Sequence, residues 1–249
     1  AKVPSADLDR IEDTEQLQRY ISTFPNVILT NFYEFRHYRD GTLINKVMIG
    51  RSFIAREIQK APPAENEDEF SELMDRFLSF SLPRIKTAKQ LAINLAKRTR
   101  FLRDEVVSIE LAEEEESGKE TLLGFYKAFR KYLIGDLTKR RFADLYAQTI
   151  TYGLFAARTR SNGSFTRELA FKYIPNTIGI LRDVFRFISL EDPPDSLKII
   201  VDDIAEVLHI TDVNSILHRY FIEGRGKDPI LHFYETFLSE YDPKMRESR

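Results

Sequence analysis

Asn26-Val-Ile-Leu-Thr-Asn-Phe-Tyr-Glu-Phe-Arg-His-Tyr38 and Thr42-Leu-Ile-Asn-Lys-Val-Met-Ile49 flank the dipeptide Asp40-Gly41. β-branched and aromatic residues dominate both runs, and such residues favour extended strands. An Asp-Gly pair between two runs of this kind is a strong signal for a tight turn. The sequence therefore predicts a β-hairpin over residues 26–49.

A helix should precede this hairpin. Asp13 and Thr14 are both suitable N-terminal caps, and the helical pattern continues to about Thr23, where Pro25 follows. The segment Asp7 to Glu12 is expected to be a loop. The order of helix, strand and hairpin strand is that of a partial α/β unit over residues 1–61.

After residue 61 the character of the chain changes. Pro62-Pro63 and the polar stretch to Asp68 indicate a linker, and the remainder has a helical pattern. A long helix is predicted from about Arg84 towards Glu116, ended by Ser117-Gly118. Further helices are predicted over residues 71–82, 121–133, 138–158, 165–173, 176–189, 196–208, 213–221 and 229–241. We predict an α+β, mainly α protein, with an irregular all-α helical domain over residues 62–249.

Composition limits the possible functions. Apolar residues make up 43% of the 249 residues, which is ample for a packed core, and the net charge of −2 argues against a wholly basic nucleic-acid coat. The absence of Cys excludes disulfides and thiolate metal sites. With no apolar run of about 18 residues and no signal-peptide pattern, we expect a cytoplasmic protein with no membrane partner.

Gln16-Leu-Gln-Arg-Tyr20 places a Gln and a Tyr four residues apart, on one face of the predicted helix. Such pairs also occur by chance on amphipathic helices. The order of Lys2, this pair and the following strand resembles the end of a PD-(D/E)XK nuclease domain in fused restriction-modification enzymes. The resemblance implies that Lys2, Gln16 and Tyr20 are catalytic, with the lysine stabilising charge on the attacking water or the phosphate.

In that family, carboxylates placed before the lysine hold the metal ion. We therefore expect no metal site in this segment, and we expect the segment alone to be inactive as a nuclease. Asp7, Asp9, Glu12 and Asp13 form an acidic run. A run of this kind before a helix is more often a partner of the helix dipole than a metal site, although hard-cation binding is the alternative.

The stretch from Asp228 to Arg249 resembles the helix that leads into the adenine-N6 methyltransferase domain of type IIG and single-polypeptide type I restriction-modification enzymes. The resemblance implies a parent that uses S-adenosylmethionine and Mg²⁺, with DNA as substrate. On this interpretation the chain is an internal piece. Residues 1–61 end the nuclease domain, and residues 62–249 connect it to the methyltransferase domain of the same polypeptide.

A row of cations follows the long predicted helix. It consists of Lys86, Lys89, Lys97, Arg100 and Arg103. Such a row is suited to DNA phosphates, without base recognition, and a solvated helix face is the alternative. The four histidines lack zinc spacing and are expected to be structural. For the chain as a whole, the alternative function is a non-enzymatic helical scaffold that binds proteins.

Overall fold

The structure, a computed structural model, describes residues 1–51, 54, 62–175, 179–223 and 228–242. It is mainly helical with one small antiparallel sheet, which confirms the predicted α+β, mainly α class. The chain forms two compact units, Ala1–Pro83 (unit 1) and Arg84–Arg249 (unit 2). In the part of the chain that is described, no helix combines the length and apolar character needed to cross a bilayer.

Unit 1 combines three strands with three helices. These elements are α1 (Leu8–Glu12), α2 (Glu15–Thr23), β1 (Asn26–Thr30), β2 (Glu34–Arg39), β3 (Thr42–Met48) and α3 (Glu67–Leu78). The loop expected from Asp7 to Glu12 is wrong, because the side chain of Asp7 accepts a hydrogen bond from the backbone N–H of Asp9 and caps a short helix there. Thr14 caps α2 by accepting a hydrogen bond from the backbone N–H of Leu17, and the helix ends at Thr23 as predicted. Asp40 and Gly41 have positive φ angles and form the predicted turn between β2 and β3.

The predicted single strand over residues 26–38 is instead two strands, β1 and β2. The side-chain oxygen of Asn31 accepts hydrogen bonds from the backbone N–H groups of Tyr33 and Glu34, while that of Thr30 accepts one from Phe32. Phe32 adopts a φ of 71°, which is unusual for an aromatic residue. These bonds reverse the chain, so the sheet is a meander in the order β1-β2-β3.

The sheet of unit 1 is covered on both faces. On one face, Leu29 and Tyr38 pack with Leu8, Leu17 and Ile21, which come from α1 and α2. On the other face, α3 packs on the strands through ring contacts between Phe35 and Phe70 and between His37 and Phe77. Because α3 covers this sheet, the compact unit extends to Pro83. The predicted domain break after residue 61 is earlier than this boundary and borders residues outside the described ranges.

The regular secondary structure of unit 2 is all helical in the part of the chain that is described. Its elements are α4 (Ala88–Phe101), a π-helical segment (Leu102–Val107), α5 (Ser108–Ser117), α6 (Leu122–Tyr132), α7 (Lys139–Arg160), α8 (Arg167–Ala170), a 3₁₀ turn (Phe171–Tyr173), α9 (Gly179–Leu190), α10 (Asp195–His209), α11 (Val213–Glu223) and α12 (Pro229–Tyr241). The predicted helix start at Asn176 and the final residues 243–249 lie outside the described part of the chain.

The long predicted helix exists but begins later than expected. Thr87 caps α4 by accepting a hydrogen bond from the backbone N–H of Gln90, so Arg84 and Lys86 precede the helix. The chain then continues through the π-helical segment to Ser117. Gly118, with a φ of 74°, ends it at the predicted position.

Helix α7 lies at the centre of unit 2, with ten buried residues along its 22 positions. Thr151 on α7 and Thr99 on α4 share a hydrogen bond of 2.8 Å between their hydroxyl groups. The rings of Phe155 on α7 and Phe233 on α12 stack with centroids 4.2 Å apart. α7 thereby joins α4 and α12 into one core.

Candidate functional site

The first three residues run beside the end of β1. The backbone N–H of Lys2 donates a hydrogen bond of 2.7 Å to the carbonyl of Thr30. Since α2 packs across the same strand through Leu17 and Ile21, the side chain of Lys2 is brought towards this helix.

Gln16 and Tyr20 lie one turn apart on the exposed side of α2. Lys2 Nζ donates a hydrogen bond of 2.8 Å to Gln16 Oε1. Tyr20 is 39% exposed, and its ring contacts Phe24 at a centroid distance of 6.2 Å. The three residues selected from the sequence therefore meet at one place, although Lys2 and Gln16 are separated by 14 positions.

These side chains line a cleft of about 170 Å³. The lining residues are Ala1, Lys2, Gln16, Leu17, Tyr20, Val27, Ile28 and Leu29. The volume is well below the roughly 300–1,000 Å³ typical of drug-sized ligands. An ammonium group, a side-chain amide and a phenol above an apolar floor are suited to contacting a single phosphate group on its oxygen atoms.

The family resemblance implies a Mg²⁺ ion near such a site. Magnesium in proteins is held by carboxylate oxygens, and none of the residues that line the cleft carries a carboxylate. Across the described residues, no group of three His, Cys, Asp or Glu side chains is placed to hold a metal ion. The residues that line the cleft therefore do not provide a magnesium site by themselves.

Two carboxylates of the acidic run before α2, Asp9 and Glu12, bind a buried arginine that sequence reasoning missed. Arg36, on β2, is 1% exposed. Its guanidinium group donates hydrogen bonds of 2.5 Å to Asp9, Glu12 and Glu34. Neither the dipole interpretation nor the cation-site interpretation of the acidic run anticipated this partner. We call these four residues the Arg36 cluster.

The electrostatics of the Arg36 cluster favour its charged form. Burial on its own lowers the pKa of Arg36, but hydrogen bonds to Glu34 and Asp9 outweigh it and raise that pKa. The hydrogen bond from Arg36 also lowers the pKa of Asp9. Glu12 accepts a further hydrogen bond from the hydroxyl of Tyr38, whose pKa is raised by burial and by this carboxylate.

The predicted row of cations on the long helix is divided into two groups. Lys86, Lys89 and Lys97 are exposed, and no ion pair is found for them among the described residues. These three lysines are accessible to a phosphate backbone, so DNA contact by them stays a prediction.

Arg100 and Arg103 face inwards, towards α12. Arg100 Nη1 donates hydrogen bonds to the carbonyls of Glu240 and Tyr241, at 2.6 and 3.1 Å. Arg103 bonds to Asp104 and to the hydroxyl of Tyr241, and its guanidinium lies over the ring of Tyr241. Arg100 thus satisfies the last carbonyls of α12, and Arg103 is paired with side chains of unit 2, so both arginines are partly buried whereas the three lysines are exposed.

No protein-family model, curated protein or solved structure matches this chain.

Proposed function

We propose that the chain is part of a fused restriction-modification enzyme, in which unit 1 contacts the DNA phosphate at the nuclease site. The observation that supports this proposal best is the 2.8 Å hydrogen bond between Lys2 Nζ and Gln16 Oε1, in a cleft that Tyr20 also lines. A lysine, a glutamine and a tyrosine were expected together from the resemblance to PD-(D/E)XK nucleases. Lys2 and Gln16 are 14 positions apart, so their contact does not follow from proximity in the sequence.

In this proposal each side chain has a defined role. Lys2 supplies a positive charge to a phosphate oxygen, and its bond to Gln16 fixes the direction of the ammonium group. Gln16 accepts from Lys2 on its oxygen, which leaves its NH₂ group to donate to a second phosphate oxygen. Tyr20 adds a phenol at the same face of α2.

Unit 2 is proposed to connect the nuclease to an adenine-N6 methyltransferase domain that uses S-adenosylmethionine. The support is the resemblance of the α12 region to the helix that precedes this domain in the family. Mg²⁺ and S-adenosylmethionine would be held by other parts of the same polypeptide.

Binding of duplex DNA by the chain tests the phosphate-contact role. At about 50 mM salt, we expect Lys2→Ala and Gln16→Ala each to weaken binding by about five- to tenfold, as for loss of a charge-assisted contact. The double variant should be little worse than the weaker-binding single variant, because the two residues act as a pair.

Lys172→Ala is the matched control, since Lys172 is an exposed lysine of unit 2 that lies outside the cleft. Its affinity should equal that of the unchanged chain. Absence of DNA binding at low salt, or equal losses for Lys2→Ala and Lys172→Ala, would reject the proposal and favour the protein-binding scaffold.

A further inference from the structure

The segment between Lys2 and Gln16 contains one short helix, α1, of five residues. A helix of this length is not stable by itself in water. Its position, and hence the direction in which the chain leaves Lys2 and enters α2, depends on contacts with the rest of unit 1.

One anchor of α1 is apolar. Leu8 is buried in the cluster formed with Leu17, Ile21, Leu29 and Tyr38. Ile11, three positions later, is partly buried against the same cluster. These two side chains set the depth of α1 against the sheet, but their apolar contacts have no directional requirement of their own.

The directional anchors of α1 converge on the buried guanidinium of Arg36. Asp9 bonds to Nη2 and Glu12 bonds to Nη1, so the two nitrogens hold two positions along α1. Arg36 belongs to the central strand, and Glu34 on the same strand binds its Nε atom. The sheet therefore fixes the guanidinium group, and the guanidinium group fixes α1.

Hydrogen bonds at the two ends of α1 connect the helix to the segments that bear Lys2 and Gln16. Asn31 donates a hydrogen bond to the carbonyl of Ala6, between Lys2 and α1. At the other end, Gln18 of α2 donates to the carbonyl of Glu12, and Thr14 donates to that of Ile11. Rotation of α1 would disturb the contacts on both sides.

We infer that Arg36 is a positioning residue: through Asp9 and Glu12 it holds α1 so that Lys2 meets Gln16 across the cleft. Arg36 itself does not line the cleft. The effect of this positioning role on DNA contact rests on the proposed function. The effect of the role on the Lys2–Gln16 hydrogen bond does not.

Side-chain NMR signals of Gln16 provide a test that does not require DNA. Lys2→Ala defines the position of the Gln16 NH₂ signals when the hydrogen bond is absent. The double variant Asp9→Asn/Glu12→Gln removes both negative charges of α1. It also leaves one acceptor oxygen at position 12, where Glu12 uses one oxygen for Arg36 and the other for Tyr38. We expect the Gln16 signals to move to the Lys2→Ala position and the Lys2 amide to exchange about tenfold faster.

The matched control is Glu65→Gln/Glu72→Gln, because both carboxylates pair with arginines of unit 1 away from α1. Its Gln16 signals should not move. Arg36→Met is a second variant, and circular dichroism reports whether each variant is folded. A folded Asp9→Asn/Glu12→Gln chain with unchanged Gln16 signals and unchanged Lys2 exchange would overturn the inference.

DNA binding by the same variants separates the two proposals. If Gln16 responds as expected but the unchanged chain does not bind DNA, the positioning role stands and the proposed function fails. If the chain binds DNA through Lys2 while the double variant keeps both its Gln16 signals and its affinity, the proposed function stands and the positioning role fails.

Discussion

The ring of Phe185 on α9 occupies the space in which residue 153 on α7 would carry a Cβ atom. Two ring carbons of Phe185 would lie inside the van der Waals distance of that atom, and Phe185 is fully buried. Gly153 therefore permits the close approach of α7 and α9, although glycine lowers the stability of a helix interior.

Gly153→Ala should destabilise unit 2. Alanine improves helix propensity by about 1 kcal/mol, but overpacking of a fixed core costs about 1–3 kcal/mol, so we expect a net loss of about 1 kcal/mol. Gly124→Ala is the control, because nothing lies within 4 Å of a Cβ atom at that position of α6. Urea unfolding should show it to be as stable as the unchanged chain or more so. If Gly153→Ala stabilised the chain as Gly124→Ala does, the close contact between Gly153 and the Phe185 ring would be contradicted.

Phe32→Gly should stabilise unit 1. The left-handed backbone at Phe32 costs about 1 kcal/mol or more for a non-glycine residue, and the ring is 56% exposed, so little packing is lost. Thermal unfolding measures the gain. Asn66→Gly is the comparison, since Asn66 also has a positive φ but donates a hydrogen bond to the carbonyl of Met48. Asn66→Gly should raise the unfolding temperature less than Phe32→Gly does, or lower it. An equal rise in both variants would indicate a general effect of glycine and not relief of strain at Phe32.

The local features of the fold were predictable because their determinants are adjacent in sequence. Thr14 begins α2, Asp40-Gly41 makes the hairpin turn, and Gly118 ends the long helix, each through contacts within a few residues. The turn at Phe32 was missed because an aromatic residue at positive φ contradicts propensity. It depends on the side chains of Asn31 and Thr30 instead.

The site was predictable only in part, for the same reason. Gln16 and Tyr20 share a helix face, so their spacing indicated a pair. Arg36 was missed because Asp9 lies 27 residues away and Glu12 lies 24 residues away, and a charged residue within a strand is usually exposed. Arg100 was assigned to an exposed row because its acceptors, Glu240 and Tyr241, follow about 140 residues later.

Acid should weaken unit 1 in two stages. Burial, followed by the charges of Arg39 and Arg76, lowers the pKa of His37 in the folded chain. As the pH falls below about 6.5, the histidine of the unfolded chain therefore takes up a proton before that of the folded chain does, and stability is lost. The pKa of Asp9 is lowered by its hydrogen bond to Arg36, so a second loss begins below about pH 4. Both groups therefore make unit 1 more stable at higher pH.

Urea titrations at about pH 7.5, 5 and 3, followed by NMR signals of unit 1, measure these stages. His37→Gln should abolish the first stage, since glutamine can still donate to Asn26, the partner of His37 Nε2, but does not titrate. Asp9→Asn should be less stable at neutral pH and should reduce the second stage. A first stage that persists in His37→Gln would assign it to another group.

Substitutions along α4 should separate DNA contact from packing. Lys89 and Lys97 are exposed, so Lys89→Glu and Lys97→Glu should leave the unfolding midpoint nearly unchanged. If these lysines contact phosphates, each change should lower DNA affinity and reduce the slope of log K against log salt by about 1.

Arg100→Met should lower the stability of unit 2 without changing DNA binding, the opposite of the two lysine variants. Arg100 binds the last carbonyls of α12 and its pKa is lowered chiefly by burial, so its loss leaves buried acceptors without a donor. We expect a cost of about 1–3 kcal/mol in unfolding free energy, with the salt dependence of DNA binding unchanged. A reduced salt slope in a folded Arg100→Met chain would show that this arginine contacts DNA, and would restore it to the predicted row.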